Sequence, residues 1–134
     1  MEPDLDLVRR YLDAVNEGGL DALAPFLDPE IEYREDPKFP QATVYRGVDD
    51  VVAQWGEFFE SFSDYRFEID ELFSADGKVV ILGREIGHGA ASGAPAERRT
   101  GWIYTLRAGK VARAEIFLDP DDAVAAVGGR PDSG

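Results

Sequence analysis

Apolar residues recur at intervals of three or four in the first half of the chain, which is typical of helices with one buried face. The first such stripe consists of Leu5, Val8, Leu12 and Val15. It predicts a helix over residues 4–17, ended by the glycines of the sequence NEGG. A shorter stripe predicts a second helix over residues 20–27, which the sequence DP stops. The strongest stripe is rich in aromatic residues and predicts a third helix over residues 48–62.

The second half of the chain has the composition and turn signals of antiparallel strands. Strand-like runs occupy residues 30–35, 65–73, 78–90, 98–106 and 110–118. Glycine-containing turns separate the last four runs, which predicts hairpins. Residues 121–127 predict a closing helical turn or two, and residues 129–134 a frayed tail after a single domain over residues 1–128.

Helices followed by strands predict an α+β domain. We expect a cone in which three N-terminal helices pack on one face of a strongly curved, mostly antiparallel sheet. The helices would close the narrow part of the cone and leave a cavity at its mouth.

Strand parity determines which polar side chains would reach this cavity. In the run KVVILGREIGHG, one face carries Val80, Leu82, Arg84, Ile86 and His88. We expect this face to point inward, because the other face offers fewer apolar side chains. A one-residue slip would turn Arg84 and His88 outward and place Glu85 inside.

The expected cavity has aromatic residues on one wall and small residues on another, which suits a flat apolar ligand. The candidate ligand contacts are Tyr11, Trp55, Trp102, Tyr104 and Ile116. A filled core is the alternative interpretation for Trp102 and Tyr104, because aromatic residues between a sheet and helices usually pack there.

The candidate catalytic residues are Tyr33, Glu35, Arg84 and His88. An inward guanidinium needs a partner, and Glu35 is the expected one. The pair would polarise a carboxylate that can act as a base or anchor a ligand oxygen, and His88 could shuttle a proton near pH 7. The alternatives are a structural ion pair or water-exposed rim for Arg84, a solvated strand end for His88, and Asp36 as the competing carboxylate or a turn residue.

The composition of the chain narrows the classes of site and of binding partner that are possible. The chain has no Cys and one His, which excludes disulfides, thiol nucleophiles and the common zinc sites. The net charge of −13 argues against nucleic acid and anionic lipid surfaces as partners. Without a signal peptide or a membrane-spanning run, we expect a cytoplasmic protein that needs no cofactor. Apolar residues on the expected outer face, Ile103, Val111 and Phe117, predict a homodimer.

Three segments carry a resemblance to a known superfamily: VRRYLDAVNEGGLDALAPFLDPEIEY, VYRGVDDVVAQW and TLRAGKVARAEIFLDPDDAVAAVG. With them the chain resembles the nuclear transport factor 2 (NTF2) superfamily, and within it the SnoaL-like group of polyketide cyclases, ketosteroid isomerases and limonene epoxide hydrolases. The resemblance implies the cone fold. It leaves the activity open, because the scaffold hosts enzymes and binding domains.

Residues carried over from the enzymes match only in part. In ketosteroid isomerase, a helical tyrosine and a protonated aspartate stabilise the oxyanion and a strand aspartate moves the proton. Tyr11 matches the tyrosine and Glu35 the base, whereas Trp102 replaces the oxyanion aspartate.

In limonene epoxide hydrolases, Tyr33 matches the water-binding tyrosine, Glu35 takes the asparagine position and Arg84 matches the arginine. Ile86 and Ile116 replace both aspartates. For the acid/base aspartate of the cyclases, the neighbouring candidate is Asp119, which could instead cap the closing helix.

Two functions are therefore open. One is a cofactor-free acid/base enzyme of the isomerase, cyclase or hydrolase type acting on a small apolar, oxygen-bearing molecule, with Glu35 as base, Arg84 as stabiliser and His88 or Tyr33 as proton donor. The other is a non-catalytic ligand-binding or accessory domain on the same fold.

Overall fold

The structure, a computed structural model, describes residues 2–18, 22–39 and 43–130. Its elements in chain order are α1 (Glu2–Gly18), β1 (Leu27–Arg34), β2 (Val44–Arg46), α2 (Val48–Glu60), β3 (Arg66–Ala75), β4 (Lys78–His88), β5 (Pro95–Arg107), β6 (Lys110–Phe117) and α3 (Pro120–Ala126). A single 3₁₀ turn stands at Ala24–Phe26, where the second helix was expected. Residues 20–21 of that predicted helix, and residues 131–134 of the predicted tail, lie outside the described residues.

The strands form one open six-stranded sheet in the order β2-β1-β6-β5-β4-β3. Every neighbouring pair is antiparallel except β1 and β6, which run parallel. The pairing skips Asp70 in β3 and Ala112 in β6, and such bulges increase local twist. The α+β cone predicted from the sequence is confirmed.

Helices α1 and α2 cover the concave face of the sheet. Their apolar stripes pack against strand residues such as Ile31, Val79 and Ile81, which are almost fully buried. On β3, the backbone of Phe67 exchanges two hydrogen bonds of 2.9 and 3.0 Å with the side-chain amide of Asn16 on α1. These bonds attach the first helix to an edge strand.

Helix α3 packs on the opposite, convex face, so the expectation that all helices lie on one face is wrong for this element. Its residues Ala123 and Val127 form a second core cluster with Val80, Leu82 and Ile103. Asp119 caps the helix, since its carboxylate accepts a hydrogen bond of 2.9 Å from the Asp121 amide.

Two of the three residues proposed for a homodimer interface are buried within one chain, which weakens the sequence argument. Ile103 is 2% exposed beneath α3, and Val111 is 0% exposed in the core cluster on the concave side. Phe117 is partly buried against the convex cluster. The homodimer itself stays a prediction. Among the described residues, no helix is both long enough and apolar enough to cross a membrane.

Candidate functional site

A cavity of ≈ 230 Å³ lies between the concave face of the sheet and helices α1 and α2. Ten of its 18 lining residues are aromatic. The polar or charged side chains in the lining are Glu35, Gln54, Tyr11, Tyr33, Tyr65, Tyr104, Trp55, Trp102, Glu85 and Arg98. A mostly aromatic lining with few charged groups is what a site for a small apolar molecule requires.

Three rings from β1 and β5 form one wall of the cavity. Tyr33 and Trp102 lie with ring centroids 5.9 Å apart at an interplanar angle of 20°, and Trp102 and Tyr104 at 5.9 Å and 3°. Trp55 of α2 meets Tyr33 edge-on at 5.3 Å. All five predicted ligand contacts, including Tyr11 and Ile116, line this cavity. Their part in binding stays a prediction.

A buried ion pair stands inside the cavity. Glu85, only 2% exposed, accepts hydrogen bonds from Arg98 through Nε at 2.8 Å and through Nη2. The Tyr65 hydroxyl donates to the other carboxylate oxygen at 2.8 Å. The guanidinium lies over the rings of Phe58 and Phe39, at 5.5 and 6.0 Å. A carboxylate so far from water is tolerated because both its oxygens are hydrogen-bonded and its charge is compensated.

The predicted placement of Arg84 inside the cavity is wrong. Its guanidinium lies on the convex face, 3.1 Å from Glu68, 3.3 Å from Asp70 and 3.8 Å from Glu97. It does not meet Glu35. The parity of β4 is the alternative one, because α3 covers Val80 and Leu82 and thereby buries the face that was assigned to the cavity.

His88 is also outside the cavity, contrary to the expected position. Its side chain is half exposed at the end of β4, and Nδ1 lies 2.9 Å from the Asp64 carboxylate. The Asp64 carboxylate also accepts from the His88 backbone amide at 2.8 Å. This arrangement matches the solvated strand end, the alternative interpretation of the sequence.

Glu35 lines the cavity as predicted, directly after the end of β1. Its Oε1 accepts a hydrogen bond of 3.2 Å from the Thr43 amide. Burial raises the pKa of Glu35, and the hydrogen bond from Thr43 opposes that shift without cancelling it. Glu35 forms no ion pair with any described residue. Glu35 is therefore a partly desolvated carboxylate without a counter-ion among the described residues.

Asp36 does not compete with Glu35 for the cavity. It is 4% exposed, and its two carboxylate oxygens accept the backbone amides of Lys38 at 3.0 Å and Leu118 at 2.9 Å. This residue closes the turn after β1 and ties that turn to the end of β6. The turn role is the one that the geometry supports.

The cavity tyrosines are proton donors at neutral pH. Burial raises the pKa of Tyr33, and the charges of Glu35 and Glu85 raise it further. Burial likewise raises the pKa of Tyr11 and Tyr104 well above the ordinary value. Their hydroxyl groups can donate hydrogen bonds to a bound molecule. Among the described residues, no group of three His, Asp or Glu side chains has the arrangement of a metal site.

The model of one protein family matches residues 8–114, the part of the chain that builds this cavity, and its description is a SnoaL-like domain. The chain belongs to the SnoaL-like family. An uncharacterised protein of Mycobacterium tuberculosis is 32% identical to it over 123 residues, which are 89% of this chain and 92% of the relative.

Two solved structures show the same fold. An NTF2-like protein from Burkholderia thailandensis is 28% identical, with a TM-score of 0.74 over 92% of this chain and 98% of that one. TerC, co-crystallised with polyporic acid, is 16% identical, with a TM-score of 0.73 over 93% and 97% of the two chains. Proteins of this fold therefore include one that binds a small molecule.

Within this SnoaL-like cavity, four charged or polar residues had not been singled out from the sequence: Gln54, Tyr65, Glu85 and Arg98. Glu85 had been considered only as the outcome of a register slip. A signal for Arg98 was present, because it shares strand parity with Trp102 and Tyr104, which were expected to point inward. Arg98, and not Arg84, is the arginine of the cavity, and it pairs with Glu85 and not with Glu35.

Proposed function

We propose that this SnoaL-like protein binds a small, flat and mostly apolar, oxygen-bearing molecule in the aromatic cavity, and that Glu35 is the acid/base residue of the site. The contrast between the two cavity carboxylates carries the proposal. Glu85 is compensated by Arg98 and Tyr65, whereas Glu35 has no ion-pair partner among the described residues and has a raised pKa. Two carboxylates in unlike environments are typical of a division between a structural and a reactive group.

Arg98 and Tyr33 complete the proposed chemistry. A base needs a nearby donor or cation to stabilise the charge that develops when a proton leaves the substrate. Arg98 lines the cavity and its side chain is 38% exposed. With Nε and Nη2 each donating one hydrogen bond to Glu85, three N–H bonds of the guanidinium remain that can donate to a ligand oxygen. Tyr33 stays protonated and feels the charge of Glu35. Arg98 thus takes the stabilising role that had been proposed for Arg84.

A second candidate is a non-catalytic binding domain. Ile116 lines the cavity, at a position where the resemblance to epoxide hydrolases implies an aspartate. The solved complex of TerC with polyporic acid supports small-molecule binding by a protein of this fold without specifying any reaction here.

The two tryptophans of the chain, Trp55 and Trp102, both line the cavity, so their fluorescence reports on its occupation. We expect 4-phenyl-1-butanol, an apolar oxygen-bearing probe, to quench this emission saturably. In a screen of aryl ketones and epoxides, Glu35→Gln should lower any turnover by about 10²- to 10⁴-fold, the usual contribution of a general base, with little change in probe binding. Turnover unchanged in Glu35→Gln would contradict the acid/base role. Probe binding without turnover of any screened compound would favour the second candidate.

We also infer that the protein is a cytoplasmic homodimer. This inference now rests on composition and on the resemblance to the superfamily, because two of the three apolar residues proposed for the interface, Ile103 and Val111, are buried in one chain. Light scattering at about 10 to 100 µM tests the dimer, since an interface of ordinary size remains associated at such concentrations.

A further inference from the structure

The cavity has one more negative than positive group. Its carboxylates are Glu35 and Glu85, and its cation is Arg98. Arg98 and Glu85 compensate each other through two hydrogen bonds. The charge of Glu35 is left uncompensated by the described residues. A ligand that neutralised this charge would gain an interaction that the protein does not supply.

The surroundings of Glu35 favour a ligand group that carries a positive charge over a neutral hydrogen-bond donor. Tyr33 is close enough for the Glu35 charge to raise its pKa. The Tyr33 ring in turn contacts Tyr45, Trp55 and Trp102 at centroid distances of 5.8, 5.3 and 5.9 Å. Aromatic faces attract cations, tryptophan most strongly.

The protein already places one cation in this way. The Arg98 guanidinium lies over the rings of Phe58 and Phe39 in the same cavity, 5.5 and 6.0 Å from their centroids. The whole chain, with a net charge of −13, raises the local concentration of cations and repels anions. An anionic ligand would additionally face Glu35.

We propose that the molecule bound in this cavity carries a protonated amine, which pairs with Glu35 while its apolar part lies among the aromatic rings. The inference rests on the proposed function in that the cavity must be the binding site. It adds a chemical class to the ligand. The ammonium group keeps its proton, because its pKa is far above that of a carboxylate, and it donates a hydrogen bond to Glu35.

Three probes with the same ring and chain length separate charge from shape: 4-phenylbutylamine, 4-phenyl-1-butanol and 4-phenylbutyrate. At pH 7 the first is protonated like a lysine side chain and the last is ionised. The cavity volume of ≈ 230 Å³ equals the share of roughly eight water molecules in the liquid, room for one ring with a short chain.

We expect the amine to quench tryptophan fluorescence with an affinity about tenfold higher than the alcohol, as one ion pair with cation–π support allows. The butyrate should bind most weakly. In Glu35→Gln, the affinity for the amine should fall to that for the alcohol, and the affinity for the alcohol should stay the same.

Glu97→Gln is the matched control. Glu97 lies on the convex face with its side chain 58% exposed, so this variant removes the same charge without touching the cavity. It should keep the preference for the amine, which separates local pairing from the general field of the protein.

The outcomes distinguish the two proposals. Equal affinity of the wild type for the amine and the alcohol overturns the ammonium inference and leaves the proposed function intact. A preference that survives in Glu35→Gln, or that disappears in Glu97→Gln, also overturns the inference. If none of the three probes quenches the fluorescence at millimolar concentration, both the inference and the proposed binding site fail.

Discussion

Arg84 and Glu85 are neighbours in β4, yet they belong to two different electrostatic environments. Arg84 lies on the convex face, where its side chain is 34% exposed and forms ion pairs with three carboxylates at 3.1, 3.3 and 3.8 Å. Glu85 lies on the concave face, where it is 2% exposed and both its oxygens are bonded. The carboxylates that pair with Arg84 are 34–58% exposed and can exchange it for water, whereas the buried Glu85 carboxylate cannot replace Arg98 in this way. The same type of interaction is therefore dispensable on one face and structural on the other.

The helices explain this difference. On the convex face, the short helix α3 approaches the sheet so closely that a Cβ atom on Gly101 would lie 2.6 Å from the Cβ of Ala123. On the concave face, long aromatic side chains such as Trp55 and Trp102 hold α2 away from the sheet and leave the cavity. The convex side of the sheet is a filled core, and the concave side holds the candidate functional site.

The largest expected effect comes from removing the cation of the concave pair. Arg98→Met leaves the Glu85 carboxylate buried without its charge partner, a change that costs several kcal/mol in proteins. Because Arg98 is 38% exposed, we expect the lower part of that range, a loss of about 2–4 kcal/mol in the free energy of unfolding at pH 7. Urea denaturation followed by circular dichroism measures it.

Arg84→Met is the matched control on the convex face. It removes the same type of side chain from β4, at the position next to Glu85, and exposed ion pairs contribute about 0–1 kcal/mol. Equal losses in the two variants would contradict the contrast between the faces.

The second-largest expected effect concerns the packing of α3 on the convex face of the sheet. Gly101→Ala brings a methyl group against Ala123 and Pro120 of α3, and overpacking of this kind costs about 1–3 kcal/mol. We expect a lower denaturation midpoint but unchanged binding of 4-phenyl-1-butanol, because the cavity lies on the other side of the sheet. Weakened probe binding in this variant would mean that the two faces are coupled.

The sequence was a good guide wherever one periodicity dominated. The stripes of α1 and α2 and the glycine turns between the long strands each indicate one structure, and the observed bounds differ from the predicted ones by a few residues. The 3₁₀ turn and the short strand β2 were not predicted in this form, because three-residue elements carry almost no periodicity.

The orientation of β4 could not be derived in the same way. Val79 to Leu82 are all buried, since α3 covers one face and α1 and α2 the other, so the alternation that would reveal the inner face is absent. Counting the apolar residues on each face of β4 then assigned the wrong face to the cavity. Gly83 contributes to the error, because a side chain there would collide with Phe67 and the backbone of Glu68. Its lack of an apolar side chain reflects that close approach and not exposure to solvent.

Prediction succeeded for the cavity wall and failed for its ion pair, for one reason. Tyr33 and Glu35 follow the alternation of polar and apolar residues in the sequence EIEYRE, so parity places them correctly, and the expected parity of Trp102 and Tyr104 in β5 also holds. Arg84 and His88 lie on the strand without that alternation. The partner of Glu85 could be assigned only once the register pairing Glu85 with Arg98 was known.

The smallest expected effect tests the unpaired carboxylate on the concave face. Burial raises the pKa of Glu35 in the folded state. Below the ordinary glutamate value, about 4.3, the group is protonated in both folded and unfolded chains. As the pH rises through the raised folded pKa, the folded protein must ionise a desolvated group, so stability that was present at low pH is lost. Glu35→Gln removes this loss, and the Gln oxygen can still accept the hydrogen bond from Thr43.

We therefore expect Glu35→Gln to match the wild type in urea midpoint near pH 4 and to be slightly more stable at pH 7. Glu97→Gln, which removes a carboxylate paired with Arg84 on the convex face, should show no such gain at pH 7. A variant that is less stable than the wild type at pH 7 would show that Glu35 already has a favourable charge partner in the folded chain. An ammonium ligand would then have no unpaired carboxylate to meet, so the stability measurement also bears on the chemistry proposed for the cavity.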